Sequence, residues 1–285
     1  MADQPQPTLR RRELGHRLRE LRHLLDLTLE QVAGRLMVST TKISRIESGA
    51  RGVSLRDVRD LCGIYGVSGD ELDRLMALAR ESKERAWWQE HDLPVTTYIG
   101  LEQTATAISE YSASVVPGLL QTEDYITALI EGMKPKLTAD SVRQQVELRL
   151  ARQRLLSEVG GPQLWVVVDE AALHMMVGGT VVMRGQLDML TNAARMTNVH
   201  LQVMPFEAGA HPGLNSNFII LDLGRRDVSD VVYVEGLLGN IYLERVNDLE
   251  RYRRIFDQLR AAALSPRQSV QRLQMLNNDH VQHQK

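Results

Sequence analysis

Leu14, Leu18, Leu21 and Leu25 recur at steps of four, three and four residues, which places them in one stripe of a helix over about residues 9 to 25 whose other face is rich in Arg. Thr28 to Gly49, TLEQVAGRLMVSTTKISRIESG, then reads as a helix, a tight turn and a second helix. Thr28 and Gln31 make a T-x-x-Q capping box for the first of these, Ser39 is a good N-cap for the second, and Gly49 ends it. Projected on a helix, Val38, Ile43 and Ile46 turn inward, Thr41, Arg45 and Ser48 point away, and Lys42 and Ser44 lie on the flanks. Two more helices open at Ser54, where S-x-x-D precedes an apolar stripe, and at Ser68, where S-x-x-E does the same.

From about residue 100 the periodicity changes to mixed α and β. SVRQQVELRLARQRLLSEVG and VMRGQLDMLTNAARM read as helices, and QLWVVVD, VHLQVMP, NFIILDL and DVVYVEG as strands. Two helices, about 247 to 263 and 266 to 277, close the chain. The predicted fold is α+β overall: an all-α five-helix unit, then a mixed sheet flanked by helices. The expected organisation is a tail over 1–8, a helical domain over 9–80, a connector over 81–99, a second domain over 100–278 and a tail over 279–285. In the connector, Trp87 and Trp88 stand among Glu84, Glu90 and Asp92, which favours packing between domains over stacking on nucleobases.

Charge sharpens this picture. Residues 8 to 56 hold eleven Lys and Arg against five acids, a local +6, whereas the whole chain is −2 and the remainder therefore −8. Positive charge is concentrated in the small helical domain, where phosphates would lie. The second helix of the motif has Lys42 rather than Glu at its capping-box position, so no carboxylate neutralises its N-terminal dipole. With 43% hydrophobic residues, no apolar run long enough to span a bilayer and no leader pattern, the chain is expected to be soluble and cytoplasmic, associated with the nucleoid. The single Cys62 sits in an apolar helical stripe and is expected to be a buried structural thiol.

The helix-turn-helix and its flanking helices resemble the Xre type of regulator, the phage-repressor family, over roughly residues 9 to 80. The resemblance implies that Thr40, Thr41, Ser44 and Arg45 read bases, with Lys42 alongside; Arg is the side chain best shaped for a bidentate contact to guanine. It implies phosphate contacts from Arg10, Arg17, Ser39, Ser48 and Arg51, which fix position without carrying sequence information. It also implies a structural ion pair between Arg22 and Glu47, and helical projection agrees by placing Glu47 near the inward face. Two positions depart from the family. Leu29 replaces a Gln that touches the DNA backbone, and Met37 replaces the turn Gly, at a cost of about 1 kcal/mol if it takes positive φ.

The second domain resembles the C-terminal, antitoxin-like domain of an actinobacterial group of Xre-type regulators, through VVPGLLQTEDY (115–125), VVDEAALHMMVGG (167–179), QVMPFEAGAHPG (202–213) and VVYVEG (231–236). The resemblance implies a small partner protein from a neighbouring gene; homodimerisation, capture of such a partner and sensing of a small-molecule effector are the three binding roles open to this domain. The loop FEAGAHPG and the turn PGLLQTEDY are candidate rims of a ligand or partner site, with Gln121, Asp169, Phe206, His211, Tyr233 and Glu235 as its candidate residues.

Asp169, Glu170, Glu235, His174 and His211 raise an enzyme reading, but their spacing matches no H-E-x-x-H, paired C-x-x-C, G-x-S-x-G or phosphate-loop pattern. Adjacent Asp169 and Glu170 would face opposite ways in a strand, and Asp169 suits the N-cap of the helix EAALHMM. No catalysis, cofactor or metal is therefore expected. The leading expectation is a homodimer that binds double-stranded DNA sequence-specifically and is modulated through its C-terminal domain, since one small motif reads only a half-site. The competing expectation is an antitoxin-like interaction protein that neutralises a small partner and regulates its own operon.

Overall fold

The computed structural model describes residues 7–83, 96–214, 216–224, 228–236 and 239–282. Trp87, Trp88 and most of the expected connector and tails lie outside the described residues. The chain divides into two compact units, Met1–Thr104 with Arg225–Ser229 and Ala105–Gly224 with Asp230–Lys285.

The first unit is helical: α1 (Pro7–Leu24), α2 (Leu29–Leu36), α3 (Thr40–Glu47), α4 (Leu55–Ile64), α5 (Gly69–Glu81) and α6 (Thr96–Glu102). Its core joins Leu14, Leu18 and Leu21 of α1 to Val32 and Ala33 of α2, Ile43 and Ile46 of α3, Val58, Leu61 and Cys62 of α4, and Leu75 and Met76 of α5. Cys62 is fully buried, and that burial pushes its thiol up to about 11, so it is inert as a thiolate near neutrality. Gly15 brings α1 onto the end of α3: a Cβ there would stand 2.5 Å from the Ile46 carbonyl oxygen and 2.7 Å from that of Glu47.

Most of the predicted helix starts have the hydrogen bonds that explain them. Thr28 and Gln31 form both halves of a capping box, at 3.2 Å and 2.8 Å, and Ser39 and Ser54 accept from the backbone N–H groups of Lys42 and Asp57. Ser68 is a correction, because its side chain makes no capping bond. The cause is Gly69, whose φ of +61° turns the backbone at the first helical residue. Leu25 is a second correction. The helix stops at Leu24, Asp26 takes φ of 52°, and Leu25 is left exposed while Leu27 packs against the core.

Met37 occupies the left-handed turn between α2 and α3, with φ 53° and ψ 45°, and closes α2 as Val38 N–H donates to the Ala33 carbonyl at 3.0 Å. Its side chain is 93% exposed, so packing does not compensate for the conformation. Left-handed backbone costs an L-residue about 1–2 kcal/mol, and glycine's freedom in the unfolded chain takes back about 0.4–1. Met37→Gly is therefore expected to stabilise the protein by about 0.5–1 kcal/mol, seen as a higher urea midpoint at unchanged slope. An unchanged or lower midpoint would contradict the strain argument.

The second unit is built on a six-stranded mixed sheet in the order β3-β2-β1-β4-β5-β6, from β1 (Ala107–Ser112), β2 (Gln163–Asp169), β3 (Val199–Met204), β4 (Phe218–Asp222), β5 (Val231–Gly236) and β6 (Gly239–Leu243). β1, β2 and β3 are parallel, and β4, β5 and β6 continue the sheet antiparallel. α7 (Glu123–Met133) and α8 (Ala139–Gln153) connect β1 to β2, while α9 (Glu170–His174) and α10 (Gly179–Ala193) connect β2 to β3, as parallel strands require. α11 (Val246–Ala262) lays Leu249, Phe256 and Leu259 on Tyr111, Val167, Phe218, Ile220 and Val232, and α12 (Pro266–Gln282) packs on α10 and β3. Leu164, Val166, Val168, Leu201, Val203 and Val231 are equally buried, so both faces of the sheet are covered. The predicted α+β class is the one observed; β1 and β6 had no predicted counterpart.

Candidate nucleic-acid interface

Ser39 caps α3, and no acid stands in its first turn, so the N-terminal N–H groups carry their full partial charge. Ile43, Ile46 and Glu47 face the core, while Thr40, Thr41, Ser44, Arg45 and Ser48 are exposed. A buried bidentate ion pair sets the height of this face. Arg22 donates from Nε to Glu47 Oε1 at 2.7 Å and from Nη2 to Oε2 at 2.8 Å, and its Nη1 holds the Leu27 carbonyl at 2.8 Å. One guanidinium thus ties the end of α1, the turn before α2 and the end of α3 together. These bonds to Glu47 raise the Arg22 pKa further, against the opposing effect of burial.

Lys42 does not project freely beside the base-reading positions. Its Nζ lies 2.8 Å from Asp57 Oδ1, where Asp57 also accepts from the Ser54 hydroxyl at 2.8 Å. Burial pushes the Asp57 carboxyl up, but the bonds from Lys42 and Ser54 outweigh it and the net shift is downward. The sign follows: this pair stabilises the fold above the ordinary carboxylate range and is lost as pH falls through the lowered pKa. Asp57→Asn is expected to release Lys42 toward DNA and steepen the salt dependence of binding by about one phosphate contact. Fluorescence anisotropy on one duplex across a salt series checks this, and an unchanged slope would contradict it.

Arg10 is held by Glu13 at 3.1 Å and Glu81 at 2.8 Å, and Arg17 by Glu71 at 2.6 Å and Glu20 at 2.9 Å. The Ser48 hydroxyl donates to the Arg45 carbonyl at 3.3 Å, and the Ser39 hydroxyl is engaged as the cap. Arg45 and Arg51 are exposed and, among the described residues, make no ion pair; the same holds for Arg35 in the last turn of α2, which sequence reasoning counted as charge without assigning a role. Leu29, where the resemblance would place a Gln, is half-buried against the core.

In the second unit the candidate residues fall into separate sets of contacts. Asp169 caps α9 through the Ala171 N–H at 2.9 Å, accepts from the Tyr111 hydroxyl at 3.2 Å and stands 3.5 Å from His211 Nε2. Next to it, buried Glu170 accepts from the Phe206 N–H at 3.0 Å and from Arg272 at 2.6 Å, and the exposed Phe206 ring lies over His174 at 5.3 Å. The 205–213 loop is therefore fastened to the carboxyl end of β2 by two carboxylates that point to different partners. Gln121 is buried in another network, with Val116 and Arg149; Tyr233 packs on Tyr242, and Glu235 is exposed at the end of β5. Tyr111 was missed by sequence reasoning because the strand that carries it was missed. Burial, then the charge of Asp169, raises its pKa. Gly213 bears the mark of that contact, since a Cβ there would lie 2.4 Å from the Tyr111 ring.

A helix-turn-helix domain family matches residues 13–75, and the family described as Domain of unknown function (DUF5753) matches residues 95–275, well over half of the chain. The chain belongs to the DUF5753 family. Comparison with curated proteins and with solved structures gives no match. The DUF5753 segment takes in α6 and the whole mixed sheet, and the helix-turn-helix segment takes in the core of α1 through α5. This DUF5753 protein is accordingly a DNA-binding regulator by its N-terminal domain. Among its described residues no helix is long and apolar enough to cross a membrane, and no group of three or more His, Cys, Asp or Glu is placed to hold a metal ion.

Proposed function

We propose that this protein is a sequence-specific transcription regulator of the Xre type, working as a homodimer in the cytoplasm, whose C-terminal unit sets DNA affinity in response to a bound partner or ligand. The observation that carries the reading is α3: a short helix pinned by the buried Arg22–Glu47 pair, with Thr41, Ser44 and Arg45 exposed together on the opposite side. A rigid helix with polar, uncharged-to-basic side chains suits base-edge contacts in a major groove. Thr40, Thr41, Ser44 and Arg45 are the base readers in this proposal. Ser39, Ser48 and Arg51 contact phosphates, while Arg10 and Arg17 are largely neutralised by their acids and contribute less.

The second unit acts as a binding module rather than a catalyst. Asp169 and Glu170 are committed to a cap, a tyrosine, a backbone N–H and an arginine, which supports a structural use of both carboxylates. Selection of duplexes from a random library by the purified full-length protein tests the main claim. Enrichment of one two-fold-related motif, with sedimentation showing a dimer on it, is the expected result. Recovery of unenriched sequence would overturn it.

A further inference from the structure

Among the described residues several partly buried arginines pair with carboxylates: Arg22 with Glu47, Arg253 with Asp222 and Asp230, and Arg272 with Glu170. Arg149 of α8, like Arg11 and Arg184, does not, and it is the one of these three held by a buried neutral side chain. It is half-buried, its hydrogen-bond partner is the neutral Gln121 side-chain oxygen at 2.8 Å, and no carboxylate lies within 4.0 Å of it among the described residues. A cation withdrawn from water without a counter-charge is costly, and an anion placed beside it removes that cost.

The surroundings are built to hold this guanidinium still. Gln121 is 2% exposed; its amide donates to the Val116 carbonyl at 2.6 Å, and its backbone carbonyl accepts from Gln153 at 2.7 Å. Gln153 also donates to the Gly118 carbonyl at 3.2 Å, so the Gly118–Gln121 turn is locked onto α8 from two positions. At Gly118 itself, a Cβ would find within 4 Å only the Arg152 side chain, at 3.7 Å, so the turn is open on that side. Burial lowers the Arg149 pKa, and the charge of Arg152 lowers it further; the charge of Glu235 opposes them from a distance. Arg149 uses one N–H on Gln121, and the rest of its fork is shaped for the two oxygens of a carboxylate or phosphate group.

We propose that Arg149, fixed by Gln121 at the Gly118–Gln121 turn, binds the oxyanion group of a small-molecule effector. This rests on the reading of the C-terminal unit as the part that sets DNA affinity, and it names the chemistry of the ligand as a carboxylate or phosphate. A preorganised guanidinium fork selects such a group over a neutral one.

Calorimetric titration of the full-length protein with inorganic phosphate and, separately, with acetate, at constant ionic strength in chloride, tests it. One saturable site per chain is expected for at least one probe, weakened 10-fold or more in Arg149→Gln and unchanged in Arg143→Ala, an exposed guanidinium on the same helix. Tighter phosphate assigns a phosphorylated effector, and tighter acetate a carboxylic acid. If Arg149→Gln fails to fold, Arg149→Lys serves in its place, since it keeps the charge and loses the fork, and is expected to bind more weakly than wild type. Absence of a saturable site for both probes in wild type, or equal affinity in the Arg149 variant, would overturn the site. DNA affinity measured with the site saturated separates the two claims: no change there removes the regulatory reading and leaves the anion site standing.

Discussion

Replacing Arg45 with alanine is expected to cut the preference for specific over random duplex by roughly 5- to 150-fold while leaving the unfolding midpoint unchanged. Arg45 is exposed on α3, makes no ion pair among the described residues and takes no part in the core, so nothing in the fold depends on its guanidinium. A bidentate contact to guanine discriminates by about 1–3 kcal/mol, which is roughly 5- to 150-fold in the ratio of specific to random affinity. Arg51→Ala provides the contrast within the same experiment. A phosphate contact is blind to sequence, so both duplexes should weaken together and the salt slope should fall by about one. Competition binding across a salt series reads both effects. Discrimination that survives Arg45→Ala would remove this residue from the base-reading set.

Glu47→Ala is expected to cost about 3–5 kcal/mol of stability. Glu47 is 9% exposed and Arg22 8%, and the truncation would leave a nearly buried guanidinium holding only the Leu27 carbonyl and a contact to His23 at 3.0 Å. Breaking a buried ion pair from one side typically costs about 3–5 kcal/mol, much of it the penalty of the stranded charge. The Tyr65 hydroxyl, buried and without a hydrogen-bond partner among the described residues, is close enough to feel the charges of Arg22 and Glu47, but as a neutral acceptor it cannot replace the carboxylate's charge. DNA binding should fall as well, because the same bonds hold the end of α3 against α1. The double replacement Arg22→Met with Glu47→Leu is expected to recover most of the stability, since it strands no charge. A denaturant series on the two variants decides; equal loss in the single and double replacements would show that packing rather than charge is at stake.

The helix-turn-helix was legible because its determinants are local. A capping box spans three residues, an apolar stripe repeats within one helix, and the projection that puts Ile43 and Ile46 inward and Arg45 outward needs no knowledge of neighbours. β2, β3, β4 and β5 were legible for the same reason, as apolar runs bounded by turns. β1 was not. AISEYS carries Glu110 and two serines, and it becomes a strand because it sits between β2 and β4, whose ladders supply its hydrogen bonds. β6, GNIYL, is a short edge strand that exists through its pairing with β5.

By itself, then, the sequence determined that the chain has a basic five-helix reader followed by a mixed α and β unit, and it determined which face of α3 is free. Tertiary structure decided what each charge on the reader is available to do. Lys42, Arg10 and Arg17 look alike to Arg45 in one dimension, yet Asp57, Glu81 and Glu71 reach them from other helices. In the second unit it decided that Asp169 and His211 belong together while Gln121 belongs with Arg149. The physical reason is range: caps and periodicity act over a few residues, whereas ion pairing and burial are settled by residues that are distant along the chain and adjacent only once it has folded.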